Sequence, residues 1–443
     1  MKVIIIGGVA AGMSAASKIK RIDKEAEVIV YERRGFLSYG ACGLPYYIGG
    51  FNDDYRRMIA RSKEKFEQSG INCQLYHEVT KVDSRKKEVV VRDMNNDRYF
   101  TRTYDKLMIA VGAAAVVPPF DGGDLLGVHV LKSMEDGIFL REYVRTDQVK
   151  HVVIVGGGYI GVECAEAFLN LGKQVRIIEA AERILAPFDP EMAENAAEEL
   201  KKHGVMLHLS EKVRGFQGDQ VVQAVETDRG RYPADLVILA VGVRPETGFL
   251  KETGISMAAD GAVIVNRKLE TSLPDVYAAG DCIRVYNKCL EEDAFLALGT
   301  VANKCGRIAG GNIAGLNDQF QGALGSAAIK VCDLEIGRTG LGEAEARRKN
   351  INCKSVLINA YDHPAYYPDP TPITIKLLYE ADTKKILGAQ TCGRKGAVLR
   401  VDIFAVAIQA GMTTTELGMT DLIYAPPFAG VWDAVQIACN AAK

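Results

Sequence analysis

Cys42 sits in the run Ser38-Tyr-Gly-Ala-Cys-Gly-Leu-Pro-Tyr-Tyr-Ile-Gly-Gly50. Small residues on both sides leave room for a flat ring system beside the sulfur. Pro45 is at home only in the first turn of a helix, where its missing N–H costs nothing. That predicts a helix N-terminus at Cys42, where free N–H groups and the helix dipole favour a thiolate. On this stretch alone, a buried structural cysteine in a Gly-rich turn is an equally good reading. A lone cysteine can hold a mixed disulfide, a persulfide or a sulfenic acid. The matching activities are disulfide reductase, persulfide reductase, and peroxidase or oxidase. The nearest other cysteine, Cys73, falls in an apparent strand over 71–75, and the other cysteines, Cys282 included, read as core or surface residues.

Two β-α-β patterns are available to position that sulfur. The first runs from the apolar Val3–Ile6 through Gly7-Gly-Val-Ala-Ala-Gly12, a helical pattern to about Ile22, and Val28–Tyr31 with Glu32 at its end. The second runs from Val152–Val155 through Gly156-Gly-Gly-Tyr-Ile-Gly161, a helix to Leu171, and Val175–Ile178 ending in Glu179. A Gly-rich turn between strand and helix, with an acid closing the next strand, is the dinucleotide fingerprint. The helix N-terminus takes the pyrophosphate and the acid takes the ribose hydroxyls. The second copy fits G-x-G-x-x-G fully, whereas the first has Val9 at its middle glycine. Asp105-Lys-Leu-Met-Ile-Ala-Val-Gly112 resembles Asp235-Leu-Val-Ile-Leu-Ala-Val-Gly242, and each is followed by proline, so the two units form an internal repeat joined by crossing segments. Thr271–Asp281 reads as a strand ending in Gly280-Asp281, an acid able to bind a sugar alcohol. Strand-like segments over 327–331, 354–358 and 373–378, then a helix over 396–410, read as a separate α+β domain.

The predicted architecture is α/β, with two Rossmann-like dinucleotide-binding domains, the second inserted in the first, and a C-terminal α+β domain. The boundaries are 1–113 with 244–321, 114–243, and 322–443. At 443 residues the chain is too long for one core. A net charge of -2 argues against a nucleic-acid partner, and no apolar run is long enough to span a bilayer. Ten scattered cysteines without a C-x-x-C pair, and a first strand starting at the N-terminus, point to the cytoplasm. The six histidines show no metal-ligand spacing, so no metal is expected.

Over essentially its full length the chain resembles the two-dinucleotide-fold flavoprotein disulfide reductases. The Val9 variant, Asp281, the Val241-Gly-Val-Arg-Pro245 crossing and the single cysteine near position 42 resemble their single-cysteine branch of NADH oxidases, NADH peroxidases and coenzyme A-disulfide reductases. The resemblance implies FAD in the first fold, held by Gly7, Val9, Ala10, Gly12, Glu32 and Arg33. Further FAD contacts it implies are Ser38, Val79, Ala110, Gly112, Lys132, Gly280, Asp281 and Ala297. It implies NADH or NADPH in the second fold, at Gly156, Gly158, Tyr159, Ile160, Gly161, Glu179 and Gly242. Glu179 would favour NADH by repelling a 2′-phosphate, with Arg176 and Arg183 allowing some use of NADPH.

Within that branch, oxidases and peroxidases carry a histidine where this chain has Ala10. Tyr366-Tyr-Pro368 and Tyr424-Ala-Pro-Pro427 resemble the tyrosine pair of coenzyme A-disulfide reductases, which faces the sulfur of coenzyme A from the partner subunit of a homodimer. The resemblance makes Cys42, Tyr366 and Tyr424 catalytic, allows coenzyme A to be held covalently on Cys42, and gives Ser14, Lys18, Arg21, Ser38 and Arg61 to the coenzyme A moiety. For Lys18 and Arg21 the plain alternative is a solvated helix face. Ala41 departs from the asparagine of the best-known members. The expected function is NAD(P)H-dependent reduction of coenzyme A disulfide, persulfide or polysulfide. The alternatives are an oxidase or peroxidase using a Cys42 sulfenate, and a flavin redox sensor without thiol turnover.

Overall fold

The computed structural model describes residues 1–443. Its first sheet is fully parallel, with Lys2–Ile6 flanked by Glu27–Glu32 and Lys106–Ile109, then Ile71–Leu75 and Val276–Ala278 at the edges. The second repeats the plan: His151–Val155 lies between Gln174–Glu179 and Leu236–Leu239, with Met206–Leu209 and Val128–Val130 outside. Central strands covered on both faces must be apolar throughout, which is why both first strands read as unbroken aliphatic runs. The repeated aspartates act alike. Asp105 Oδ2 accepts the Lys2 N–H at 2.5 Å, and Asp235 Oδ2 accepts the Lys150 and His151 N–H groups at 2.9 and 2.8 Å.

The two crossing segments meet. Ala113–Ala115 pairs antiparallel with Val243–Pro245, so the chain enters and leaves the second fold side by side. Each nucleotide fold also carries a three-stranded antiparallel meander, over residues 77–103 in the first and 213–233 in the second, which the sequence reading did not resolve.

The C-terminal unit is a five-stranded antiparallel sheet, in the order Ala327–Val331, Leu334–Gly340, Ile386–Gly393, Pro372–Glu380, Cys353–Tyr361. The expected helix is present as Ala397–Ala410, and Ala434–Ala441 joins it in one apolar cluster with the sheet. The other face grips the second fold. Lys376, only 4% exposed, reaches Glu191 at 2.8 Å and Asp189 at 3.4 Å, and the Asp189 N–H donates to Gln390 Oε1 at 2.9 Å. No helix is long and apolar enough to cross a membrane.

Candidate active site

The two Gly-rich loops are built to one specification. Gly7 and Gly156 both have positive φ, +102° and +107°. A Cβ on either would strike the carbonyl of the matching strand end, at 2.2 Å from Ala110 O or 2.5 Å from Ala240 O. The last glycines, Gly12 and Gly161, press the helix onto the loop, with a hypothetical Cβ 1.9 and 2.0 Å from the carbonyls of Gly7 and Gly156. The middle position differs, since a Cβ on Gly158 would meet nothing within 4 Å. Protein packing does not demand glycine there, which is why Val9 is compatible with the same loop.

The closing acids brace these loops. Glu32 accepts the Gly8 and Arg34 N–H groups at 2.8 and 2.9 Å, while Glu179 accepts those of Gly157 and Ala181 at 2.6 and 2.7 Å. Burial raises the Glu32 carboxyl above its ordinary pKa against the pull of those two hydrogen bonds.

One continuous cavity of about 1350 Å³ links the two loops, larger than the about 300–1,000 Å³ of a typical small-molecule pocket. From the first fold it is lined by Gly7, Val9, Ala10, Glu32 and Arg33, with Ala110, Gly112, Lys132, Gly280, Asp281 and Ala297 around the far wall. From the second fold Gly156, Gly158, Tyr159, Ile160, Glu179 and Gly242 contribute. Two Gly-rich loops at helix N-termini, an acid closing the strand beside each and a long apolar trough between them fit a flavin dinucleotide and a nicotinamide dinucleotide.

Cys42 is the only cysteine on the cavity wall. It lies in a 3-10 turn, Ala41–Gly43, just ahead of the short helix Leu44–Ile48 with Pro45 at its start. The placement agrees with the sequence, but the predicted thiolate bias does not hold. The sulfur is open to the cavity, yet the protein around it raises the thiol pKa by desolvation, and the Glu163 carboxylate adds to the rise. Lys132 opposes it, but pairs with Asp281 at 3.5 Å. A five-residue helix supplies too little dipole to outweigh burial and the Glu163 charge.

Glu163 was missed from the sequence. It lines the cavity from the helix Tyr159–Asn170, and burial, then the Glu166 charge, pushes it up to about 7. An acid inside an otherwise small and apolar helical run was the available signal.

Gly12, Gly161, Val79, Ser14, Ser38, Lys18, Arg21 and Arg61 do not line the cavity. Gly12 and Gly161 act behind it through packing, and Val79 is core. Ser38, at φ +48°, ties the first loop to the cysteine segment: its N–H donates to Gly8 O at 2.9 Å and its carbonyl accepts from Ala60 at 2.8 Å. Ser14 donates to Asn303 Oδ1 at 2.7 Å. Lys18 is half-buried and Arg21 exposed, and Arg61 stacks on Phe66 at 4.4 Å while donating to the Lys65 carbonyl at 2.6 Å. Arg176 lies over the Tyr232 ring at 4.1 Å, off the cavity wall, whereas Arg183 and Lys212 line the cavity beside Glu179.

Tyr366 and Tyr424, 58 residues apart, meet through a 2.7 Å hydrogen bond between their hydroxyls. That bond raises the Tyr366 phenol above its ordinary pKa. The pair does not line this chain's cavity; both rings stand on the surface, 71% and 47% exposed, among the exposed Ile423, Phe428, Val431 and Trp432.

Known proteins resemble this chain along its length. The family model of pyridine nucleotide-disulphide oxidoreductases matches residues 1–303, and that of their dimerisation domain matches 326–435. The NAD(P)H coenzyme A polysulfide/persulfide reductase of Pyrococcus horikoshii is 39% identical over 443 residues, covering 100% of this chain and 98% of that protein. The crystal structure of reduced Bacillus anthracis CoADR-RHD superposes with a TM-score of 0.97 at 33% identity, over 100% of this chain and 80% of that one. The water-forming NADH oxidase from Lactobacillus brevis bound to NADH gives 0.96 at 31% identity, over 100% and 98%. Paired Gly-rich loops, a cavity joining them and matches to both models make this chain a member of the FAD- and NAD(P)H-dependent pyridine nucleotide-disulphide oxidoreductase family.

Proposed function

We propose that the protein reduces coenzyme A disulfide, or coenzyme A persulfide or polysulfide, at Cys42 using NAD(P)H. The observation that carries this reading is the single sulfur on the wall of the cavity joining both nucleotide loops. FAD would occupy 1–113 and 244–321, NAD(P)H 114–243, and residues 322–443 would join two copies of the chain. When bound, FAD and NAD(P)H would supply two electrons beside Cys42. Cys42 supplies the rest: its thiolate attacks a substrate sulfur, the substrate S–S bond breaks as the Cys42–S bond forms, and coenzyme A or hydrosulfide leaves. Two-electron reduction of that mixed disulfide would return Cys42 as a thiolate and release the remaining coenzyme A.

The outward Tyr366–Tyr424 pair suits delivery to a second copy's cavity, where a phenol would donate to the departing thiolate. Ser14, Lys18, Arg21, Ser38 and Arg61, outside the cavity, would hold the nucleotide end of coenzyme A. The competing oxidase reading draws on the similarity to the NADH oxidase, but Ala10 offers no proton donor at the cavity wall.

The test is steady-state NADH consumption with coenzyme A disulfide, with coenzyme A persulfide, and with neither. We expect substrate-dependent turnover that disappears in Cys42→Ser while FAD stays bound. Tyr366→Phe and Tyr424→Phe should each lower it by about 10²–10⁴-fold. Equal NADH consumption in all three conditions, or full activity in Cys42→Ser, would reject the assignment.

A further inference from the structure

Remote from the cavity, the second fold and the C-terminal sheet share a cluster that the family chemistry does not use. Glu199 lies four residues before His203 at the end of the helix Pro190–Lys202, so both side chains share one face. The turn between Ala327–Val331 and Leu334–Gly340 brings Asp333 against them. Ligand atoms of the three residues lie within 4.8 Å of one another.

Three features separate this cluster from an ordinary surface ion pair. Glu199 is 6% exposed, yet its Oε1 is sealed from solvent with no hydrogen-bond donor. Its nearest basic neighbours are His203 Nδ1, 3.6 Å from Oε1, and Arg394 and Lys202, 3.7 and 3.9 Å from Oε2, all beyond hydrogen-bond distance. A dry carboxylate with no donor is costly unless a cation completes it. Second, His203 Nδ1 lies 2.9 Å from the Glu199 carbonyl. A neutral imidazole makes that contact by donating Nδ1–H, which leaves the Nε2 lone pair facing Asp333, the arrangement that orients metal-bound histidines. Third, Nε2 is 3.6 Å from Asp333 Oδ2, too long for a hydrogen bond. Two ligands held at about 2.0–2.2 Å by one tetrahedral ion stand about 3.3–3.6 Å apart.

We propose that Glu199, His203 and Asp333 form a site for one divalent transition-metal ion, of the zinc or cobalt type, that ties the second nucleotide fold to the C-terminal sheet. One imidazole and two carboxylates match the nitrogen and oxygen preference of such ions, with water completing the shell. Arg394 Nη1, 3.1 Å from Asp333 Oδ2 on a half-exposed side chain, is the competitor that balances the carboxylates without metal. The sequence expectation of no metal spacing missed the site because its third ligand lies 130 residues beyond His203 in the chain. The proposal is independent of the sulfur chemistry at Cys42.

The test is equilibrium dialysis of the chelator-treated, FAD-loaded enzyme against graded Co²⁺, with bound metal counted per subunit and FAD content confirming the fold of each variant. One ion per subunit is expected, retained in Cys42→Ser. His203→Gln and Asp333→Asn should each weaken binding by more than the about 10–100-fold that loss of an outer-shell partner costs. Arg394→Gln should bind more tightly than wild type. Absence of a stoichiometric ion in the wild type, binding unchanged in both ligand variants, or weaker binding in Arg394→Gln would each overturn the proposal.

Discussion

The two nucleotide folds surround the same loop with different side chains. In the first, the closing acid Glu32 is 7% exposed and the loop's middle residue is Val9, so that end of the cavity is enclosed. In the second, Glu179 is half-open and Gly158 leaves its surroundings bare. Two cationic side chains, Arg183 and Lys212, share its rim, and Arg183 Nε is buried without a partner. An enclosed site suits a cofactor that stays, and an open cationic one suits a nucleotide that exchanges every turnover. Identical backbone specifications at Gly7 and Gly156 show that the difference lies in side chains around a common scaffold.

The sharpest way to break this comparison is at the glycines. Gly7→Ala and Gly156→Ala each place a Cβ against a strand carbonyl at positive φ, costing more than the about 1–3 kcal/mol of backbone strain alone. Gly7→Ala should emerge without FAD, whereas Gly156→Ala should keep FAD and lose NADH-dependent flavin reduction, read by absorbance and stopped flow. Gly158→Ala should fold normally and only raise KM for the nucleotide. A Gly158→Ala as damaged as Gly156→Ala would show the middle position to be structural after all.

Next in size are the acids. Glu32→Gln gives up a buried charge-assisted brace and should lose about 1–3 kcal/mol of FAD-loaded stability, seen as a lower melting temperature. Glu179→Gln should change melting less and shift selectivity toward NADPH. Equal losses of stability would erase the distinction between enclosed and open sites.

Arg183→Ala and Lys212→Ala sharpen the same point. Native enzyme should favour NADH without excluding NADPH, because Glu179 already accepts two backbone N–H groups and the two cations line the cavity beside it. Each substitution should cut kcat/KM for NADPH by about tenfold, the worth of one charged hydrogen bond, and leave NADH nearly unchanged. Equal falls for both nucleotides would place the cations on the shared pyrophosphate instead.

The smallest expected effect lies where the two folds meet. Glu163 of the second fold, raised to about 7, faces the Cys42 thiol of the first. Above pH 7 its carboxylate is charged and holds the thiol pKa up; below pH 7 it is neutral and the influence fades. Glu163→Gln should therefore speed alkylation of reduced Cys42 at pH 8 and match wild type at pH 6. Identical rates at both values would remove Glu163 from the site.

The folded chain shows which parts of this picture a sequence can carry. Both parallel sheets were legible because strands covered on two faces leave long aliphatic runs, and the strand over 71–75 holding Cys73 came out with the expected bounds. The meanders were not, because strands such as Arg98–Thr103 are largely solvent-facing and leave no apolar run to read. The place of Cys42 was fixed locally by Gly43 and Pro45. Its protonation was not, because the Glu163 charge arrives from a helix more than a hundred residues away. The Tyr366–Tyr424 contact was anticipated only through resemblance, since nothing in the spacing of two tyrosines states that they meet.

The side-by-side crossing strands also set an order of events at the ribosome. The second fold is one contiguous stretch and can close as soon as it emerges. The first sheet must wait for Val276–Ala278, roughly 170 residues after Lys106–Ile109, a delay of roughly 10–30 s at ~5–20 residues per second. During that interval Lys106–Ile109 offers an unpaired apolar edge, the kind of template on which nascent chains stick to one another. Slow translation between Lys106–Ile109 and Val276–Ala278 lengthens that exposure, and fast translation shortens it.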